Sequence, residues 1–124
     1  MHNKLALANW DVNREITAEE VPENIKKLML ADEEIVAAYE HLYVKAVFTD
    51  RRIIVKVGEG LTGRRVETFS VPYYAVLMWS IEEAGIMDKE TEINLWTEAG
   101  NIQISVDKSV DLEKIEMLLA QATL

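Results

Sequence analysis

Residues Gly58-Glu59-Gly60-Leu61-Thr62-Gly63 have the spacing of a phosphate-cradling glycine loop, and Arg64 and Arg65 follow at once. A dinucleotide fingerprint needs its third glycine to open a helix whose first amides hold the pyrophosphate. Here the residues that follow, 66–71, alternate as a β-strand. A kinase-type glycine loop does lie between strands, but the rest of that machinery needs a much longer chain. The segment therefore reads as a hairpin loop whose glycines supply positive φ angles. Arg64 and Arg65 can bind an anion or a partner's carboxylate. The favoured reading is a pair of solvated or intersubunit salt-bridge residues, with a modest preference for a salt bridge to a second copy because the chain is rich in carboxylates.

The other candidates for chemistry are weaker. His2 follows the initiator and His41 ends an expected strand, and neither has ligand spacing or a nucleophile placed for it in the sequence. Glu82, Glu83, Asp88, Glu90 and Glu92 cluster, but without the alternating spacing of a calcium loop. Two neighbouring carboxylates become an acid/base pair only if burial splits their pKa values. No catalytic residue, metal ligand or cofactor site is expected, and the protein is read as not an enzyme.

Composition narrows the classes further. The chain has 124 residues, is 49% hydrophobic and has a net charge of −9, enough for one domain with a core of its own. It has no cysteine, which excludes disulfides and thiolate chemistry and agrees with a cytoplasmic location, the one expected. The first fifteen residues lack the apolar run of a secretory signal, and no run is long enough to span a membrane. Acidity repels phosphate backbones and anionic headgroups, so nucleic acid is not expected as a partner and membrane lipid is disfavoured. Arg51, Arg52, Lys56, Arg64 and Arg65 do fall within fifteen residues, a local patch whose ordinary reading is a solvated edge or loop.

These side chains must be positioned by the elements around them. Residues 3–10 suggest a short helix. Thr17 and Glu20 fit a capping box, with Ile16 and Val21 as a hydrophobic staple. Pro22 should break or restart that helix, whose stripe of Ile25, Leu28 and Met29 runs to Leu30. Residues 1–31 thus read as a helical extension. From residue 35 the period becomes two. Strands are expected at 35–41, 43–49, 52–57, 66–71, 75–83, 92–96 and 102–107. Pro72 breaks one end, and Ala99-Gly100 makes a tight turn. Residues 109–122 form an amphipathic helix with Leu112, Ile115, Leu119 and Ala122 on one face. Residues 32–124 are then a mainly β domain: seven antiparallel strands in a barrel or sandwich, closed or half-closed, with the last helix over one mouth.

Seven strands and a terminal helix are the pleckstrin-homology (PH-like) architecture. Phe48-Thr49-Asp50-Arg51-Arg52, Gly60-Leu61-Thr62-Gly63-Arg64-Arg65-Val66-Glu67, Ser70-Val71-Pro72-Tyr73 and Glu83-Ala84-Gly85 follow in order. Together they resemble the bacterial pleckstrin-homology domain family, a family of unknown function, from about Asp32 to the C-terminus. The chain departs from the family after Gly85, where Ile86-Met87-Asp88 stands in place of a small residue, an aromatic and an aspartate. The resemblance implies the PH-like fold and a tendency to form ring-like homo-oligomers, a pentamer among them. It implies no catalytic site. PH domains that grip phosphoinositides use a basic cluster between their first two strands; here that loop is Glu40-His41-Leu42-Tyr43, with Lys45 the nearby cation.

The remaining signal is apolar. Val47, Ile54 and Trp96 have outward parity on their strands, and Met117 lies off the stripe of the last helix. Tryptophan among β-branched neighbours marks an interface; cover by the N-terminal segment is an equal alternative. The expected function is a scaffold or interaction module that closes on copies of itself head-to-tail through Val47, Ile54, Arg64, Arg65 and Trp96, and binds an unidentified protein. The alternative is a peripheral membrane adaptor holding anionic lipid through Arg51, Arg52, Arg64 and Arg65, which rests on fold analogy.

Overall fold

A computed structural model describes residues 6–58 and 65–124. Nine strands and two α-helices run in the order β1 (Ala6–Asp11), β2 (Arg14–Ile16), α1 (Glu23–Lys26), β3 (Ile35–His41), β4 (Val44–Thr49), β5 (Arg52–Gly58), β6 (Val66–Pro72), β7 (Met78–Glu82), β8 (Glu90–Thr97), β9 (Gly100–Asp107) and α2 (Leu112–Thr123). They form a five-stranded sheet in the order β2-β3-β4-β5-β6 and a four-stranded sheet in the order β1-β9-β8-β7. The seven strands and terminal helix expected from the alternation are all present.

Register explains how the sheets share a core. Tyr39, Ala46, Val55 and Phe69 are cross-strand partners in one sheet. Trp10, Ile104, Ile93 and Ile81 form the corresponding row in the other. Both rows face the single main core, as a period of two requires when one face of each sheet is covered. Ile115, Leu118 and Leu119 of α2 enter the same core. Asp111 starts that helix by accepting a hydrogen bond from the Lys114 amide.

The sheets do not close into a barrel; they pack as a sandwich. Pro72 ends β6, and a 3-10 turn, Tyr73–Ala75, follows it. That turn occupies the start of the strand expected at 75–83 and separates β6 from β7. Tyr73 is buried there and donates its hydroxyl to the Thr49 carbonyl at 2.7 Å. The last hairpin turns at residues 98–99, and Gly100 opens β9 with φ 139°, a conformation that favours glycine.

The N-terminal segment differs most from expectation. In place of a helix over 3–10, β1 runs parallel to β9, so the described part of 1–31 is not a purely helical extension. Leu-Ala-Leu-Ala has helix propensity, but β9 offers an unpaired edge, and pairing there buries Trp10 against Phe69 with ring centroids 5.0 Å apart. Tertiary context overrides a weak local preference. The capping box of Thr17 and Glu20 does form, with Thr17 N donating to Glu20 Oε1 at 2.8 Å. It starts only a 3-10 turn, Ala18–Glu20, because Val21 precedes proline and takes an extended ψ of 127°. Pro22 then caps α1, which has four residues.

Candidate functional site

The five interface residues expected from the sequence are not brought together. Val47 and Ile54 do point outward from the five-stranded sheet, but both are 0% exposed. Ile16, Val21 and Ile25 pack over them and Ala38 in a second hydrophobic cluster. Cover by the same chain is therefore the outcome there, and these two residues are withdrawn from any surface. Arg64 and most of the glycine loop lie outside the described residues, as does His2. Arg65 is exposed. The loop joins β5 to β6, two antiparallel neighbours. No helix follows it, so the dinucleotide geometry is not met.

Arg51 and Arg52 both find carboxylate partners, Arg51 at the surface and Arg52 on the buried Glu33. Arg51 pairs with Asp32 at 2.6 Å. Arg52 forms a two-pronged pair with Glu33, Nε to Oε2 at 2.9 Å and a terminal nitrogen to Oε1 at 3.0 Å, and donates to the Leu28 carbonyl at 2.8 Å. Thr49 adds a hydroxyl bond to Glu33 at 2.6 Å, and the Leu30 amide another at 3.0 Å. Burial alone pushes the Glu33 carboxyl up, but the bonds from Arg52, Thr49 and the Leu30 amide outweigh it and hold it at about 2. This node clamps the chain before β3 onto the β4–β5 turn. It explains the Thr49 and Arg52 of the sequence motif as structural residues.

The carboxylates of the β7–β8 connection line a cleft of about 440 Å³ that also holds Lys89. Asp88 accepts a bond from the Gly85 amide at 3.1 Å, and Gln103 donates to Glu92 at 2.6 Å. Burial, a contact with Asp11 and the charges of Asp11 and Glu92 raise the Glu90 carboxyl above its usual range. Among the described residues no group of three or more side chains is arranged to hold a metal ion. The departure at Ile86-Met87 leaves both side chains exposed at the tip of this connection.

What remains for binding is the outer face of the four-stranded sheet. Trp96 is half-buried there and pairs with Met78 on β7 and Asn101 on β9. Met78 is 52% exposed, Leu77 66% and Tyr74 87%. The Leu77 amide donates to the Trp96 carbonyl at 2.8 Å, which fixes Leu77 beside the tryptophan. Behind it a groove of about 560 Å³ runs between β6 and the β8–β9 turn, with Trp10, Phe69, Pro72 and Ile102 among its walls. Sequence reasoning found Trp96 but missed Met78, whose signal was available: in the alternation of β7 it faces the same way as Ser80 and Glu82.

The two outer faces differ in charge. Asp11, Ser105, Glu92 and Glu82 lie in one cross-strand row on the four-stranded sheet. Arg14, Glu40, Lys45 and Lys56 lie in one row on the five-stranded sheet. Arg14 and Lys45 both pair with Glu40.

Comparison with known proteins adds a family to this geometry. Residues 6–123 match the profile described as Bacterial PH domain, a span that takes in β1 and β2. An uncharacterized Bacillus subtilis protein, YjqA, is 31% identical over 101 residues, covering 77% of this chain and 81% of its own. A second uncharacterized protein of that bacterium, YozO, is 26% identical over 97 residues, covering 78% and 84%. The crystal structure of a DUF1696 family protein with a pleckstrin-homology domain from Shewanella loihica superposes with a TM-score of 0.77 at 28% identity, covering 91% of this chain and 99% of that one. A pleckstrin homology domain from Shewanella amazonensis gives a TM-score of 0.67 at 26% identity, covering 90% and 91%.

Proposed function

Because this chain belongs to the bacterial PH domain family, we propose that it is a non-enzymatic, cytoplasmic PH-like scaffold that assembles with copies of itself into a ring-like homo-oligomer and presents that assembly to a protein partner. The observation that carries the reading is the exposed apolar set Tyr74, Leu77 and Met78 beside the half-buried Trp96. The comparable outward residues of the other sheet are covered. An aromatic centre with exposed aliphatic neighbours is the usual composition of an interface core.

Charge supports a head-to-tail arrangement. An isologous contact through the four-stranded sheet sets the row of Asp11, Glu92 and Glu82 against its own copy. A heterologous contact lets it meet cations of the next copy, Lys56 or Arg65, and such contacts close rings. Arg52 is held by the buried Glu33, which takes one cation out of a lipid-binding arginine patch. Among the described residues no helix is long and apolar enough to cross a membrane.

Light scattering coupled to gel filtration tests the reading. The parent should run as one discrete multimer that persists on dilution. Trp96→Glu should run as a monomer with an unchanged circular dichroism spectrum. A parent that is monomeric at every concentration, or a multimer that survives Trp96→Glu, overturns it.

A further inference from the structure

The free edge of β7 and the flank of α2 enclose a second cleft, of about 540 Å³, lined by Ile81, Glu83, Leu112, Glu113, Glu116 and Met117. We infer that this cleft is a docking site for an extended, basic peptide segment of another protein, seated as an added strand on β7. Three features define the occupant. First, β7 ends the four-stranded sheet, so alternate backbone amides and carbonyls on its outer side have no described strand to pair with. Such an edge is a template for an extended chain. Second, the floor is apolar. Ile81 and Leu112 pack against the main core from this side, and Met117 is 55% exposed, which accounts for its position off the helix stripe. A flexible thioether adapts to varied aliphatic side chains.

Third, the lining is charged with one sign. Glu83, Glu113 and Glu116 stand around the apolar floor, and among the described residues no lysine or arginine lines the cleft. Glu116 is held in place by the Trp79 indole N–H at 3.1 Å. A strand that places aliphatic side chains on the floor meets these carboxylates with its neighbouring side chains, and lysine or arginine there is the complement. The same carboxylates repel an anionic membrane. The inference rests on reading the chain as an interaction module but not on its self-assembly, because the cleft involves none of the Trp96 strip.

The probe is a phage-displayed random decapeptide library, with selected peptides resynthesised and their affinities measured on the full chain. Selected sequences should alternate valine, isoleucine or leucine with lysine or arginine and carry no central proline. The doubly reversed variant Glu113→Lys/Glu116→Lys should weaken binding by about tenfold or more. Bound peptide should slow hydrogen exchange at the β7 amides. Selection of no peptide, of acidic or uncharged peptides, of peptides indifferent to the charge reversal, or of peptides that protect β6 or the helix instead of β7 overturns the inference. A monomeric chain that still binds such a peptide at β7 separates failure of the ring from failure of the cleft.

Discussion

Two buried tyrosines show how a single hydroxyl acts in opposite directions. Tyr73 is buried with its hydroxyl bonded to the Thr49 carbonyl. Tyr39 is 0% exposed, stacks edge-on against Phe48, and its hydroxyl has no partner among the described residues. Burial pushes both phenols above their usual range. Tyr73→Phe should cost about 1–2 kcal/mol, because the Thr49 carbonyl is left unpaired. Tyr39→Phe should be neutral or stabilising by about 1 kcal/mol, since it removes a polar group without a partner. Denaturant midpoints of the two variants check the contrast; equal losses would refute it. Glu33 sets the acid limit. Its folded value of about 2 lies below the ordinary 4.5, so its contribution is complete above about pH 4.5 and disappears as pH falls towards 2. That shift corresponds to about 3 kcal/mol. Parent stability should therefore fall through this window, and Glu33→Gln should lose stability at pH 7 while showing a flatter acid profile in urea melts.

At the scale of elements, α1 illustrates a helix that exists only through packing. Four residues cannot sustain a helix in water. Ile25 at 0% exposure holds α1 over Val47 and Ile54, while Thr17 and Pro22 set where the turns begin. Ile25→Ala should cost about 3 kcal/mol and expose the outer face of β4 and β5. Chemical melts read the loss, and increased binding of an apolar dye reads the exposure. Unchanged dye binding would mean that the cover stays seated without its anchor. The strand β1 follows the same logic on the other sheet. Its residues were legible as apolar, but their state depended on an edge contributed by β9, about ninety residues later in the chain.

For the whole molecule, the sandwich presents three sides of different character. One outer face is covered by the N-terminal segment, and the other carries the half-buried Trp96 beside the exposed Met78, with a row of carboxylates on the same sheet. The cleft between β7 and α2 lies on a third side. The surfaces proposed for self-assembly and for peptide docking are thus separable, and Trp96→Glu and the Glu113/Glu116 reversal should affect one without the other. The seven core strands, the final helix and the capping box are legible in the linear chain, because period-two alternation, turn residues and local caps act over a few neighbours. The linear chain also carries the motif order that points to the PH-like family. The burial of Val47 and Ile54, the tie of Arg52 to the buried Glu33, and the strand formed by residues near the start appear only in the folded chain. Those outcomes depend on which distant segment occupies a sheet face or edge. Parity states which way a side chain points, but cannot state what arrives to cover it.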